Sequence, residues 1–218
     1  MRTSALLLAA ALLAHPHAAR AATFEFLAIA ESGDAMPSSA NTFMSFGRPS
    51  LDHGFVAFRS LGTSASDGVY KIDRAAGGTL ERVADTTTAI PSGSGDFAGF
   101  AHFVSVDAGR VAFAGQTVVF PTANEDTGVY LDNGATLDRI YDSTVDIDDQ
   151  FQGAFPHVSG ISLEATEIAF GVGIAPFLVA VAEIGGSVSS RFHTGDFVPA
   201  SSSRSRHRGR RGAARSET

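Results

Sequence analysis

The 218-residue chain contains no cysteine and no tryptophan. Because cysteine is absent, no disulfide framework and no thiol chemistry are available, and the stability of the fold has to come from packing. Basic residues are scarce in the body of the chain: residues 22–199 hold eight Lys or Arg against 22 Asp or Glu, a net charge of −14. An acidic body argues against a nucleic-acid partner, because binding to phosphates requires a basic surface.

Helical periodicity and long hydrophobic runs are also missing beyond the N-terminal segment. One charge-free stretch, 168–182, is shorter than the ~20 residues that a membrane-spanning helix needs. Gly171, Gly173 and Pro176 interrupt it, and the repeat described below divides it into two strands, 168–172 and 177–182. We therefore expect no transmembrane helix after residue 21.

The N-terminus has an apolar run at 5–14, which follows Met1-Arg2 and precedes Ala19-Arg20-Ala21. A charged start, a short apolar segment and an A-x-A site are the three parts of a secretory signal peptide. We predict a signal peptide at 1–21 and export to the periplasm, the cell surface or the extracellular space.

The dominant feature of the remaining sequence is an internal repeat with a period of about 55 residues. Paired phenylalanines recur as Phe43 and Phe46, Phe97 and Phe100, and Phe151 and Phe155. A closing triplet recurs as Val56-Ala57-Phe58, Val111-Ala112-Phe113 and Ile168-Ala169-Phe170. Such a period is typical of repeat architectures, in which one supersecondary unit is stacked several times.

Short runs of Val, Ile, Phe and Tyr, bounded by Asp-x-Gly, Gly-Gly or Asn-Gly, predict strands joined by tight hairpins. Each unit carries about four such runs. We therefore predict an all-β, propeller-like array of about three four-stranded antiparallel repeats, an incomplete set for a propeller. The predicted β-repeat domain, 22–199, divides into units 24–79, 80–136 and 137–187 and a partial unit, 188–199.

Within these units, 24–30 is expected to form the first strand, and 188–192 is expected to be the single strand of the fourth unit. Residues that recur at fixed spacing in strand patterns are expected to be buried. They are Phe46, Val56, Phe58, Phe97, Phe100, Val111, Phe113, Phe155, Ile168 and Phe170.

Residues 200–218 hold six arginines and one glutamate and no apolar residue larger than alanine. Such a segment cannot bury enough surface to offset the entropy lost on ordering, so we expect a disordered, Arg-rich tail. The tail is either solvated without a role or a binder of acidic polymers or anionic lipid headgroups. Its abrupt start also suggests a truncated or frame-shifted end.

Catalytic motifs are missing: the sequence has no G-x-S-x-G, no H-E-x-x-H and no Walker-type loop. His102 and His157 occupy the same repeat position, where the first unit has Arg48. Because equivalent positions in neighbouring units can approach one another around an axis, these three residues are candidates for a shared polar or metal site. The alternative is that each is a loop residue, inherited with the repeat and bonded to backbone.

The segment 142–149 is rich in carboxylates, which are ligands that calcium prefers. The candidate calcium ligands are Asp142, Asp146, Asp148 and Asp149. The segment lacks the glycine and the bidentate glutamate of an EF-hand loop. The acid at its start recurs as Glu31 and Asp85, followed each time by Ser or Thr, which favours a structural role in a turn. Apart from calcium, no cofactor is expected.

The motifs RVADTTTAIPSGSGDFAGF, VAFAG and GVYLDNGATL resemble the tandem repeats of an uncharacterised family of exported bacterial proteins, many of which carry a PEP-CTERM or choice-of-anchor sorting signal. The resemblance covers nearly all of 24–199. It implies a propeller-like β-repeat fold and a cell-surface or extracellular setting, and it implies no activity. The sequence departs from this family at its end, where neither a Pro-Glu-Pro motif nor a hydrophobic helix precedes the arginines.

Three functions stay open on the sequence. A non-enzymatic exported repeat protein would bind or scaffold an extracellular ligand or a surface component. A secreted hydrolase on a propeller scaffold would instead bring a set of polar residues together in one pocket. A truncated gene product would have no function of its own. We also expect either a marginally stable monomer or self-association through the first and last units, because an open array leaves their apolar faces uncovered.

Overall fold

The computed structural model describes residues 26–117, 127–142, 158–173, 178–186 and 188–193. Within these ranges the chain is all-β, apart from one short 3-10 helix at Thr63–Ala65. The strands are β1 (Phe43–Phe46), β2 (Ser50–Asp52), β3 (Phe55–Gly62), β4 (Asp67–Asp73), β5 (Glu81–Asp85), β6 (Gly99–Asp107), β7 (Arg110–Gln116), β8 (Thr127–Asp132), β9 (Leu137–Tyr141), β10 (Val158–Glu164), β11 (Glu167–Val172), β12 (Leu178–Glu183) and β13 (Val188–His193).

The strands form three antiparallel sheets that follow one another along the chain. In the first sheet β1 and β2 both pair with β3, which is followed by β4 and β5. The second sheet has the order β6-β7-β8-β9, and the third has the order β10-β11-β12-β13. The predictions of an all-β fold and of sheets with about four strands are therefore confirmed.

Each sheet ends one strand later than the corresponding predicted unit, 24–79, 80–136 or 137–187. Strand β5, which was expected to open the second unit, pairs with β4 and completes the first sheet. Strand β13, which was expected to stand alone in a fourth unit, pairs with β12 as the last strand of the third sheet. The physical reason is that a repeated sequence can be divided at any point, whereas tight turns, such as the one at Gly77 with φ +63°, keep consecutive strands in one sheet.

The predicted first strand, 24–30, is also wrong over its described part, since residues 26–30 form no strand. In the sequence repeat this segment corresponds to 80–84, which includes most of β5, the last strand of its sheet. Residues 26–30 would therefore need a sheet in front of the first one, and the described part of the chain contains none. Accordingly, the side chain of Phe26 is 97% exposed.

The hairpins β2–β3, β6–β7 and β10–β11, one in each sheet, have short turns with a residue at positive φ. These residues are His53 in the first sheet, Ala108 in the second and Ala165 in the third, with φ of +44°, +48° and +48°. Glycine is required most clearly at Gly109, where φ is +82° and an added Cβ would lie 2.8 Å from the ring of Phe55. The turn of the second sheet thus packs directly against the first sheet.

Side chains alternate between the two faces of each sheet, and we call the face towards the preceding sheet the front face and the other the back face. The back face of the first sheet (Ala57, Val69, Ala84) packs on the front face of the second (Phe97, Phe100, Val104, Val106, Val111, Phe113, Tyr130). The back face of the second (Ala112, Ala114, Val129, Leu131) packs on the front face of the third (Val158, Leu163, Ile168, Phe170, Val172, Ala180, Ala182). The core is thus divided into layers between successive sheets.

The front face of the first sheet has no sheet before it among the described residues. Its cluster consists of Met36, Phe43, Val56, Phe58 and Tyr70, with partly buried residues of 26–42 packed against it. The preceding loop therefore covers part of this face with Met36.

Eight of the ten residues predicted to be buried are buried: Val56, Phe58, Phe97, Phe100, Val111, Phe113, Ile168 and Phe170. The prediction is wrong for Phe46, which is 42% exposed, although its ring contacts those of Phe43 and Phe58 at centroid distances of 5.4 and 5.6 Å. Its repeat counterpart Phe100 is covered by the first sheet, and Phe46 has no such cover. Phe155 lies outside the described residues.

The described parts of the charge-free stretch 168–182 form two strands, as predicted: residues 168–172 lie in β11 and residues 178–182 lie in β12. These strands pair antiparallel from Glu167 opposite Glu183 to Val172 opposite Leu178. Among the described residues, no helix is long and apolar enough to cross a membrane.

Candidate functional site

A cleft of about 220 Å³ lies where the start of β2, β6 and β10, one from each sheet, come together. The first sheet contributes the segment that enters β2, the second contributes β6, and the third contributes β10. The lining residues are Arg48, Pro49, Ser50, Phe103, Val104, Ser105 and Ile161. Because β2 and β10 both contact β6, the cleft depends on the docking of all three sheets.

A serine on β2 and a serine on β6 each link one sheet to the next. The Ser50 hydroxyl accepts a hydrogen bond from the backbone N–H of Val106 at 3.1 Å. One repeat later, the Ser105 hydroxyl accepts one from the backbone N–H of Leu163 at 2.9 Å. The same bond therefore recurs at both junctions, and both serines line the cleft.

An acid two residues after each serine makes a second link. Asp52 Oδ2 accepts from the backbone N–H of Ala108 at 2.9 Å, and Asp107 Oδ2 accepts from that of Ala165 at 3.1 Å. The hydrogen bond from Ala108 and a second one from His53, whose Nδ1 lies 2.7 Å from Asp52 Oδ1, lower the pKa of Asp52. We call the recurring pairs the serine–acid motif: Ser50 and Asp52, Ser105 and Asp107, Ser162 and Glu164.

The cleft offers mainly hydrogen-bond donors. The Arg48 guanidinium only donates, and Ser50 and Ser105, which each accept one N–H, keep their own hydroxyl protons for donation. Phe103 and Ile161 supply apolar surface beside them. This arrangement suits a small ligand with acceptor oxygens and an apolar part.

A buried ion pair lies next to the cleft, between the first two sheets. Arg59 on β3 donates from Nε and Nη2 to the two carboxylate oxygens of Asp67 on β4, both at 2.7 Å. Asp67 Oδ2 also accepts from the backbone N–H of Phe100 on β6 at 3.0 Å. Arg59 is 9% exposed and Asp67 is 4% exposed, so this charge-assisted pair holds the edge of the second sheet on the first.

His102 extends this pair towards the solvent. Its Nδ1 lies 3.0 Å from Nη1 of Arg59. Since a guanidinium has no acceptor, Nδ1 must accept this hydrogen bond, which places the proton of the neutral ring on Nε2. His102 is therefore a partner of Arg59 in this junction.

Neither Arg59 nor Asp67 belongs to the site residues predicted from the sequence. At the equivalent positions the second sheet has Ala114 and Thr127, so these two charges occur in the first repeat and not in the second. The sequence did contain a signal for this pair. Arg59 and Asp67 have opposite charges, both depart from the repeat, and both lie on neighbouring strands. Arg59 pairs with Val69, and Asp67 pairs with Leu61. The two charged residues are therefore only two positions out of register on adjacent strands.

The structure places Arg48 and His102 close together in the fold but with different contacts. Arg48 lines the cleft beside Phe103, whereas His102 bonds to Arg59. Counted along the strands, Arg48 precedes Ser50 by two residues and His102 precedes Ser105 by three, so strand register does not align them. His157 lies outside the described residues, and a site shared by all three stays a prediction.

The structure describes one of the four candidate calcium ligands. Asp142 is buried and pairs with Arg139, whereas Asp146, Asp148 and Asp149 lie outside the described residues. Among the residues that the structure describes, no group of three or more His, Asp or Glu side chains is placed to hold a metal ion. A calcium site at 142–149 stays a prediction.

The repeat counterpart of Asp142 has the structural role in a turn that the sequence favoured. Asp85 Oδ1 accepts from the backbone N–H of Thr87 at 2.9 Å and from the hydroxyls of Thr87 and Thr88 at 2.7 and 3.1 Å. Asp85 Oδ2 accepts from Arg82 at 2.6 Å. Burial alone would raise the pKa of Asp85, but these hydrogen bonds outweigh it and hold the pKa below its ordinary value.

This lowered pKa predicts an acid-dependent loss of stability. Because the folded-state pKa of Asp85 lies below the unfolded value of about 3.9, its contribution is present above that pH and is lost as the pH falls through the folded-state pKa. Asp85→Asn should therefore lower the free energy of unfolding by about 1.5–3 kcal/mol at pH 7 and should reduce its fall below pH 4. Urea unfolding between pH 2.5 and 7 measures both effects, with Asp96→Asn as the control for net charge.

The family of unknown function DUF7453 matches residues 20–171 of the chain. No curated protein matches it. Among solved structures, a glycosyl hydrolase from Bacteroides ovatus is similar at 12% sequence identity and a TM-score of 0.36, over 67% of this chain and 49% of that one. The chain thus spans about half the length of that structure, and at this TM-score the likeness carries no argument about activity.

Proposed function

The chain belongs to the family of unknown function DUF7453, and we propose that it is an exported, non-enzymatic β-repeat protein that binds a ligand in the cleft between its three sheets. The signal-peptide pattern at 1–21 supports export. The observation that carries the proposal is the cleft itself, to which each of the three described sheets contributes residues. Its setting would be the cell surface, the periplasm or the extracellular space.

In this proposal the three sheets are consecutive blades of a propeller-like array. Two observations support it: the second and third sheets have their strands in sequential order, as do β2 to β5 of the first, and the serine–acid motif makes the same two hydrogen bonds at both junctions. Propeller blades surround a central channel. In this proposal the cleft at β2, β6 and β10 corresponds to that channel.

The ligand that fits this cleft is a small carboxylate with an apolar part. Arg48 is exposed, so its guanidinium is accessible to a carboxylate, and a guanidinium binds carboxylates through two parallel hydrogen bonds. The hydroxyl protons of Ser50 and Ser105 are further donors. Phe103, which is 36% exposed, provides an aromatic surface for the apolar part.

Benzoate and benzamide test this chemistry, because they share a ring and differ in the charge of the acceptor group. We expect benzoate to bind with a dissociation constant of about 1 mM, as its size allows, and benzamide to bind more weakly. Arg48→Gln should weaken benzoate binding by about tenfold or more and leave benzamide binding unchanged. Titrations followed by NMR chemical shifts measure both constants and show whether the signals of Phe103 and Ser105 move.

Arg74→Gln is the matched control, because Arg74 is an exposed arginine in the turn between β4 and β5, outside the cleft. It should bind benzoate like the unmodified protein. Equal loss in the Arg48 and Arg74 variants would mean that benzoate responds to overall charge. In that case, or if benzoate shifts residues far from the cleft, the cleft is not the binding site.

A further inference from the structure

The front face of the first sheet exposes a position that the other two sheets bury. Leu51, Val106 and Leu163 are equivalent, since each lies opposite the first residue of a closing triplet: Val56, Val111 or Ile168. Val106 is 4% exposed and Leu163 is 6% exposed, because a preceding sheet covers each of them, whereas Leu51 is 65% exposed. The front face of the first sheet therefore carries Leu51 at a position that a sheet junction normally buries, and no described sheet packs on it.

The back face of the third sheet shows the complementary pattern. Val69, Val129 and Val179 are equivalent, since they pair with Arg59, Ala114 and Gly171, the residues that follow the closing triplets. Val69 and Val129 are completely buried by the sheet that follows, whereas Val179 is 42% exposed. The third sheet thus presents a back face of the kind that the first two sheets cover.

Among the described residues, polar groups of the kind that link two sheets also have no sheet partner at either end. Ser162 and Glu164 are exposed, whereas their counterparts in the first two sheets accept N–H groups of the next sheet. On the first sheet, Leu51 and Val56 lie opposite each other as Val106 and Val111 do. The Leu51 N–H therefore points away from β3, as the N–H groups of alternate residues do in antiparallel strands.

From this we propose that a second copy of the chain docks head to tail, with the back face of its third sheet on the front face of the first sheet. Val179 then enters the apolar groove of the front face, which has a volume of about 200 Å³ and includes Leu27, Phe46 and Phe58. Ser162 accepts the N–H of Leu51, and Glu164 accepts that of His53. The new interface continues the two sheet junctions that already exist within the chain.

Two copies joined in this way close a ring. A head-to-tail contact is heterologous, and it ends in a ring when the rotation between units closes and in a filament when it does not. The described parts of two chains bring six sheets, a number within the four to eight blades of propellers. The dimer then has two identical new interfaces and no uncovered first or last sheet.

The mass of the purified protein and of two surface variants tests the proposal. We expect the unmodified protein to have twice the mass of one chain in sedimentation equilibrium. Val179→Arg and Leu51→Arg each place a charge in the interface and should raise the dissociation constant by about thirtyfold or more. Met44→Arg is the control: Met44 is 60% exposed and does not line the groove, so this variant should remain a dimer.

A mixture of the two weakened variants distinguishes head-to-tail docking from docking of two identical faces. The Val179→Arg chain keeps an intact front face, and the Leu51→Arg chain keeps an intact back face. Equal amounts of both should therefore form a mixed pair, which native mass spectrometry identifies by its mass. The pair has one intact interface and should be weaker than the unmodified dimer.

Three results would overturn the proposal. The first is an unmodified protein that stays monomeric at all concentrations, which would mean that another segment of the chain covers these faces. The second is a Val179→Arg or Leu51→Arg variant that associates as tightly as the unmodified protein. The third is a mixture that forms no mixed pair, since docking between two identical faces would give that result. Thermal unfolding of each variant verifies that it is folded.

Discussion

Replacing Asp67 by alanine is expected to lower the free energy of unfolding by about 3–5 kcal/mol. The change leaves the Arg59 guanidinium without its bidentate partner and the Phe100 N–H without an acceptor. Both groups are buried between the first two sheets, where a charge or a donor that loses its partner keeps its full desolvation cost. Urea unfolding followed by circular dichroism measures the loss.

A double-mutant cycle separates this cost from that of a change in shape. Thr is the residue at the equivalent position of the second sheet, Thr127, and Met replaces the Arg59 side chain by an apolar one of similar length. We expect the double variant, Arg59→Met with Asp67→Thr, to be more stable than the sum of the single losses predicts, by at least about 1 kcal/mol. Additive losses would show that the ion pair contributes no coupling between the two sheets.

Replacing Phe113 by alanine is expected to cost about 3–5 kcal/mol. Phe113 is completely buried in the layer between the first two sheets. Its ring contacts those of Phe97, Phe100 and Tyr130 at centroid distances of 6.0, 5.6 and 5.8 Å. The substitution removes the transfer free energy of the ring and leaves a cavity that these rigid neighbours cannot fill.

Phe46→Ala is the matched control for the cavity. Phe46 also recurs in the repeat, as the counterpart of Phe100, but it is 42% exposed, so its removal leaves a surface depression rather than a cavity. We expect a loss of about 1 kcal/mol or less. A loss as large as that of Phe113→Ala would indicate that Phe46 is covered in solution, which is what the head-to-tail dimer requires. The two variants should therefore be compared at a protein concentration below the dissociation constant of any dimer.

Much of the fold could be predicted because it is encoded locally. The alternation of apolar and polar residues and the turn residues specify strands and hairpins over a few positions. The recurrence of the closing triplets at 56–58, 111–113 and 168–170 then predicts that the hairpins belong to equivalent sheets. Burial of Phe58, Phe113 and Phe170 follows from the same pattern, since each lies on the front face of its sheet.

The candidate site was only partly predictable. Arg48 was selected because the repeat places histidines near the same position, and it does line the cleft. The serines were not selected, although Ser50, Ser105 and Ser162 recur in the sequence. The reason is that Ser50 and Ser105 each bond to the backbone of the next sheet, and no local pattern shows which backbone group a serine will meet.

The sequence by itself determined the class of the fold, the number of sheets and the residues that form the layers between them, because these depend on short-range spacing. Only the tertiary structure decided where each sheet begins and ends, how the cleft is assembled and that Arg59 and Asp67 form a buried pair. It also decided that Leu51, Phe46 and Val179 are exposed while their repeat counterparts among the described residues are buried. The physical reason is that burial depends on whether another sheet lies on a given face, and equivalent residues in a repeated sequence carry no information about which unit has a neighbour.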